Sequence, residues 1–119
     1  MRILVCDDDD MVIKVVQVAL KDKNVELTIA RDGQQAIDRL EKGEQFDLII
    51  TDLHMPHKNG DDILKLVREE MKSTIPIVMF SSDGEEEVIT LALKLGINDF
   101  IVKPVTVEKF LKKIKKYLP

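Results

Sequence analysis

The sequence predicts an open α/β domain, in which a parallel sheet of five strands is covered by five helices. Two observations lead to this prediction. Short apolar runs alternate along the chain with longer stretches that repeat apolar residues at helical spacing. The runs are mostly continuous, as is typical of strands buried on both faces, and helical crossovers join such strands in parallel. Periodicity alone leaves the order of the strands open.

The strands come first in each repeating unit. The five apolar runs cover residues 3–6, 25–30, 48–51, 77–80 and 100–102. Turn-forming residues mark the boundaries of the second, third and fourth helices. These are Asp32-Gly33, Asn59-Gly60 and Asp83-Gly84 before the helices, and Gly96 after the fourth.

Each predicted helix carries one apolar stripe, and we expect that stripe to face the sheet. In chain order the stripes are Val12, Val15, Val16, Ala19 and Leu20; Ala36, Ile37 and Leu40; Ile63, Leu66 and Val67; Val88, Leu91, Ala92 and Leu95; and Val107, Phe110, Leu111, Ile114 and Leu118.

Length and composition limit the classes of protein to consider. The 119 residues, 45% of them hydrophobic, predict one domain over 1–119 with a real core. A net charge of −4 disfavours direct binding to nucleic acid. No apolar run is long enough to span a membrane, and the first residues do not resemble a secretory signal, so we expect a cytoplasmic protein. The single cysteine, Cys6, excludes an internal disulfide and is expected to be a buried apolar residue.

Polar side chains follow four of the five predicted strands. Asp7 and Asp8 follow the first, Asp52 the third, Ser81 the fourth, and Lys103 the end of the fifth. Ligands of open α/β sheets bind at the carboxyl ends of the strands, so these groups are expected to converge. Two carboxylates about 4 Å apart repel by about 4 kcal/mol at an effective dielectric of about 20, so a proton, a lysine or a cation must offset the charge. An all-oxygen set favours Mg²⁺, and a lysine and a hydroxyl beside it suit a phosphoryl group.

Four segments, each at a strand end, carry a family resemblance. They are Ile3-Leu4-Val5-Cys6-Asp7-Asp8; Asp47-Leu48-Ile49-Ile50-Thr51-Asp52-Leu53-His54-Met55-Pro56 with Gly60; Pro76-Ile77-Val78-Met79-Phe80-Ser81-Ser82; and Phe100-Ile101-Val102-Lys103-Pro104. In this order they make the chain resemble the receiver domains of two-component response regulators, which include single-domain chemotaxis proteins. The resemblance implies a flavodoxin-like fold with strand order 2-1-3-4-5.

The resemblance also implies a phosphoacceptor site that requires Mg²⁺. Asp52 would accept a phosphoryl group from the phosphohistidine of a sensor histidine kinase or a histidine phosphotransfer protein. Asp7, Asp8, Asp52 and the backbone carbonyl of His54 would be the protein ligands of the metal. The domain would catalyse only its own phosphorylation and dephosphorylation, and its output partner is not implied.

The resemblance implies a switch formed by Ser81 and Phe100, and roles for three other residues around the phosphoryl group. Ser81 would bond a phosphoryl oxygen, and Lys103 would pair with the phosphoryl group, with a cis bond to Pro104. Phe100 would rotate inward as Ser81 moves, shifting the surface of the fourth helix, fifth strand and fifth helix. His54 and Asp83 occupy positions that the resemblance associates with the lifetime of the phosphoryl group.

Two other classes of function stay open at this point. Asp8-x-Asp10 resembles the nucleophile motif of haloacid-dehalogenase-like phosphatases, with Asp8 as the nucleophile. A flavin carrier shares the topology, although the first loop here is acidic instead of hydroxyl-rich. Asp9 and Asp10 are expected at the start of the first helix, where negative charge is favourable.

The remaining polar groups have simpler interpretations. His54 and His57 are expected to have exposed side chains in a loop. The lysines of the last helix either complement its dipole or bind a partner. They are Lys109, Lys112, Lys113, Lys115 and Lys116.

Overall fold

Five strands form one parallel sheet in the order β2-β1-β3-β4-β5, which confirms the expected topology. The computed structural model describes residues 1–55 and 57–119; Pro56, part of one motif quoted above, lies outside the described residues. The strands are β1 (Arg2–Cys6), β2 (Glu26–Ala30), β3 (Leu48–Asp52), β4 (Ile77–Ser81) and β5 (Asp99–Val102).

Helices connect successive strands and close the chain. They are α1 (Asp10–Leu20), α2 (Gly33–Glu41), α3 (Gly60–Lys65), α4 (Glu86–Leu95) and α5 (Val107–Ile114). A π-helical turn (Leu66–Glu70) extends α3, and a 3₁₀ turn (Lys115–Tyr117) follows α5. None of the helices in the described ranges combines the length and apolar character that a membrane-spanning helix requires.

Alternate residues of the strands point to opposite faces of the sheet and build two cores. Helices α1 and α5 cover one face, where Ile3, Val5, Ile50 and Phe80 are buried. Helices α2, α3 and α4 cover the other face, where Leu4, Ile49 and Met79 are buried. The continuous apolar runs are therefore explained by burial on both sides, as the sequence predicts.

The predicted apolar stripe of α4 is confirmed only at Ala92 and is wrong for its other three residues. Val88, Leu91 and Leu95 are exposed, and the helix instead packs on the sheet through Ile89 and Ala92. Apolar residues occur on more than one side of this helix, so their spacing did not identify the buried side. The other four stripes do face the cores, although Val107, Leu111 and Leu118 at the fifth are only partly buried.

The third helix departs from regular α-helical geometry where the sequence predicts a continuous stripe. The amide of Met71 donates to the carbonyl of Leu66, 2.8 Å away, and the amide of Ser73 donates to the carbonyl of Val67. These bonds span five and six residues, so the end of the helix is widened. Leu66 and Val67 remain buried.

Candidate functional site

Three carboxylates meet at the carboxyl end of the sheet. Asp52 is the last residue of β3, and Asp7 directly follows β1, the neighbouring strand in register with it. Asp8 follows Asp7, and oxygens of Asp7, Asp8 and Asp52 all lie within 4.8 Å of one another. Asp7 and Asp52 are buried, whereas Asp8 is exposed. The parallel register thus produces the convergence expected from the sequence.

Lys103 supplies positive charge to this cluster. Its Nζ lies 2.9 Å from Oδ2 of Asp52 and 3.4 Å from Oδ2 of Asp7. Burial alone would lower the pKa of Lys103, but the hydrogen bond and charge of Asp52, helped by Asp7, hold this pKa above its usual value. The Lys103–Pro104 peptide bond is cis, as expected. One lysine therefore faces two buried carboxylates, which leaves the cluster net negative.

Asp7 is the least satisfied member of the cluster. Its Oδ1 accepts the amide of Asp9 at 2.9 Å, but its buried Oδ2 has no hydrogen-bond partner among the described residues and meets only the Lys103 ammonium, as an ion pair at 3.4 Å. Burial raises the pKa of Asp7 to about 6, with the charge of Asp52 adding to the rise and the Asp9 amide opposing it. An orphaned carboxylate oxygen within an all-oxygen set fits a hard divalent cation such as Mg²⁺.

Ser81 ends the strand next to β3, and Phe100 lies on β5, one strand further from the cluster. Ser81 ends β4 and is buried, and its carbonyl accepts the amide of Lys103 at 2.8 Å. Phe100 lies half-buried in β5, where Nζ of Lys113 is 5.0 Å from the centre of its ring. Ser81 and Phe100 line one cavity beside the start of α4, while their switching roles stay predictions.

The loop after β3 is held close to Asp52. The amide of Gly60 donates to the carbonyl of Leu53, and a Cβ at Gly60 would lie 2.7 Å from the carbonyl oxygen of Asp52, so only glycine fits here. Asn59 and Asp62 form a capping box that starts α3. The amide of His54 lies 3.5 Å from Oδ1 of Asp52. The role of the His54 carbonyl as a metal ligand stays a prediction.

Sequence reasoning missed a residue that borders the site. Glu85, just before α4, contacts Nε2 of His54 at 2.5 Å and accepts the amide of Ser82 at 2.5 Å. Burial would raise the pKa of Glu85, but these contacts hold it below its usual range. The Ser82-x-x-Glu85 spacing, which is typical of a capping box, is the sequence signal that indicates this contact. The side chain of His54 is exposed, as expected, although its imidazole contacts the carboxylate of Glu85.

Several simpler predictions are confirmed. Asp9 caps α1 by accepting the amide of Met11, and Asp10 lies in the first turn and pairs with Arg31. Cys6 is buried, and burial raises the pKa of its thiol to about 12, which makes it a poor nucleophile at neutral pH.

The lysines of α5 are partly engaged in the fold. Lys113 and Lys116 both reach Asp99 of β5. Burial opposes ionisation of Asp99, but the hydrogen bond from Lys113 and the adjacent amide and lysine charges keep its pKa below the usual range. Lys109 bonds the carbonyls of Val102 and Pro104. Compensation of the α5 helix dipole is therefore not the only role of these lysines, because three of them also bond to β5 or to the residues that follow it.

Relatives and solved structures resemble this chain over nearly its whole length. The chain is 37% identical to the chemotaxis protein CheY-3 of Vibrio cholerae, over 98% of this chain and 90% of that protein. It is 34% identical to a CheY homolog of Campylobacter jejuni, over 99% and 92%. The structure of CheY4 of Vibrio cholerae superposes with a TM-score of 0.86 at 29% identity, covering 98% of both chains.

The family model of the response regulator receiver domain matches residues 3–115, which contain every residue of the acidic cluster together with Lys103. Of the three classes of function that the sequence left open, this match supports the receiver. The chain therefore belongs to the response regulator receiver domain family of two-component and chemotaxis signalling, and it is CheY-like.

Proposed function

We propose that the chain is a Mg²⁺-dependent phosphoacceptor switch in which Asp52 receives a phosphoryl group. The observation that carries this proposal is the position of Asp52. Its carboxylate is buried at the end of β3, lies 2.9 Å from Nζ of Lys103 and shares a cluster with Asp7 and Asp8. Lys103 offsets part of the negative charge around this carboxylate, and a bound cation would offset the rest, which suits Asp52 to act as a nucleophile.

The donor that fits this site carries a phosphohistidine, as in a sensor histidine kinase or a histidine phosphotransfer protein. An oxygen of Asp52 attacks the phosphorus in line, and the P–N bond of the phosphohistidine breaks as the P–O bond forms. The departing imidazole nitrogen keeps the electron pair and takes a proton from solvent. Lys103 faces the attacked group and offsets negative charge on its oxygens.

A divalent cation would be held by Asp7, Asp8 and Asp52, and the His54 carbonyl is proposed as a further ligand. When bound, Mg²⁺ supplies positive charge that neutralises the acidic cluster and the phosphoryl oxygens. The orphaned Oδ2 of Asp7 supports this assignment, because a cation would satisfy it. Asp9 contributes by holding the other oxygen of Asp7 with its amide.

Ser81 and Phe100 would transmit the phosphorylated state to the surface of α4, β5 and α5. The Ser81 hydroxyl would donate to a phosphoryl oxygen, and Phe100 would occupy the space that Ser81 leaves. Phosphorylation would then shift an existing equilibrium between two surfaces. The chain would catalyse only its own phosphorylation and dephosphorylation, in the cytoplasm, for an output partner that is not specified.

The test is phosphotransfer from a phosphorylated histidine kinase or phosphotransfer protein in Mg²⁺ or in EDTA. We expect a Mg²⁺-dependent band shift in phosphate-affinity electrophoresis for the wild-type protein and no shift for Asp52→Asn, which keeps the size of the side chain. Asp22→Asn, at an exposed carboxylate outside the cluster, is the matched control and should accept the group normally. Transfer to Asp52→Asn at the wild-type rate would contradict the proposal.

A further inference from the structure

We propose that Glu85 is a positioning residue of the phosphoryl site, which holds His54 across the gap between the ends of β3 and β4 and thereby slows hydrolysis of the phosphorylated site. The inference rests on the proposed function of Asp52. It adds a residue that belongs to neither the acidic cluster nor the proposed switch.

The contacts of Glu85 link two loops of the site. One oxygen of its carboxylate lies 2.5 Å from Nε2 of His54, in the loop that follows Asp52. The other oxygen accepts the amide of Ser82, the residue directly after Ser81. A single carboxylate therefore connects the loop that follows the acceptor, Asp52, with the loop that follows the hydroxyl of Ser81.

The two side chains of this bridge differ in exposure. The Glu85 side chain is only 16% exposed, whereas that of His54 is 70% exposed, so the carboxylate is the shielded partner and the imidazole is the outer one. Glu85 directly precedes α4, yet its side chain caps no amide of that helix. Its side-chain hydrogen bonds therefore go to residues outside the helix, His54 and Ser82.

The bridge affects the acceptor through residue 54. The amide of His54 is already 3.5 Å from Oδ1 of Asp52, so the fixed imidazole belongs to a segment that adjoins the acceptor. In hydrolysis a water oxygen attacks the phosphorus, the P–O bond to Asp52 breaks, the carboxylate keeps the electron pair, and the water protons pass to phosphate and solvent. An imidazole held between β3 and β4 narrows the approach of that water. A ring released from Glu85 does not.

The first test measures decay of the phosphorylated protein in Mg²⁺ after the donor is removed. We expect Glu85→Ala to shorten the lifetime about fivefold, the size of effect that loss of one fixed hydrogen-bonded contact produces. His54→Ala should shorten it similarly, and the double variant should match the single ones because both remove the same bridge. Glu87→Ala, an exposed carboxylate two residues further on, is the matched control and should decay like the wild type.

The second test detects the bridge without phosphorylation. In ¹H–¹⁵N spectra of the imidazoles, Glu85→Ala should shift the resonances of His54 and leave those of His57 unchanged. The role of Glu85 would be overturned by unchanged His54 resonances or by equal phosphoryl lifetimes of the wild type and Glu85→Ala. Additive effects of the two substitutions in the double variant would overturn it as well. A wild-type protein that accepts no phosphoryl group from any donor would overturn the proposed function as well, which separates the two failures.

Discussion

The β1–α1 and β4–α4 units have the same plan but are held together differently. In each, a buried strand ends at the site, a short loop follows, and a helix with many apolar residues covers the sheet. Helix α1 buries Val12, Ile13, Val16, Ala19 and Leu20. Helix α4 buries only Ile89 and Ala92, and exposes four large apolar residues, including Leu91.

The two ends of α4 carry the contacts that its sides lack. At its start Glu85 connects to His54 and Ser82. At its end the guanidinium of Arg68 donates two hydrogen bonds to the carbonyl of Gly96, at 3.0 and 2.9 Å. Helix α1 is therefore fixed by packing along its length, whereas α4 is fixed mainly at its ends. A helix held mainly at its ends can be displaced at a lower cost in free energy than one packed along its length, which suits the switch proposed above.

The largest expected effect tests this difference directly with one substitution placed in both helices. Leu20 is 3% exposed in α1, and Leu91 is 57% exposed in α4. Leu20→Ala should lower the free energy of unfolding by about 2–5 kcal/mol because it leaves a cavity. Leu91→Ala should change it by less than about 0.5 kcal/mol. Urea denaturation measures both, and equal losses would show that α4 is packed like α1.

The second prediction concerns charge in the β1–α1 unit. The pKa of Asp7 is raised to about 6 from 3.8, so in the metal-free protein the folded state holds this proton more tightly than the unfolded state. Stability from this group is present below about pH 4 and is lost as pH rises towards 6. Asp7→Asn should therefore stabilise the metal-free protein at pH 7 by about 1–3 kcal/mol and have little effect at pH 4.

Thermal denaturation in EDTA across pH 4–7 measures that difference. The exposed Asp22→Asn is the control, and its stability should follow the wild-type pH profile. The same titration predicts weaker Mg²⁺ binding below pH 6, since the metal needs the ionised carboxylate. A wild-type slope between pH 4 and 6 that persists in Asp7→Asn would show that another group titrates.

The smallest expected effect tests the anchor at the end of α4. Arg68→Ala removes the bonds to Gly96 and also those to the carbonyl of Ser73 and the side chain of Asn98. We expect a loss of about 1 kcal/mol in global stability, together with faster hydrogen exchange of the α4 amides. Lys94→Ala, at an exposed residue of the same helix, is the control. Unchanged exchange in α4 would mean that its end needs no anchor.

Local pattern in the sequence was sufficient for the strands and for the main site. The apolar runs of β1, β3 and β4 mark strands buried on both faces, whereas β2 and β5 at the edges of the sheet are only partly buried. Asp7, Asp52 and Lys103 directly follow apolar runs, so the topology brings them together. The order of the strands required the family resemblance, because periodicity does not specify which strands pair.

Three features of the structure were not predicted from the sequence. The stripe of α4 was misassigned because apolar residues occur on several sides of that helix. The widened turn after α3 involves bonds from Met71 and Ser73 that no residue type signals. The contact of Glu85 with His54 joins residues 31 positions apart, and neither has a pattern that names the other.

The most direct test of the account identifies which aspartate carries the phosphoryl group. The protein would be treated with acetyl phosphate in Mg²⁺ or in EDTA, reduced with borohydride to convert an aspartyl phosphate to homoserine, digested, and sequenced by mass spectrometry. If Asp52 is the Mg²⁺-dependent phosphoacceptor, homoserine is expected at position 52 alone, and only in the sample with Mg²⁺. Modification at Asp8, or modification at Asp52 that is equally extensive in EDTA, would contradict it.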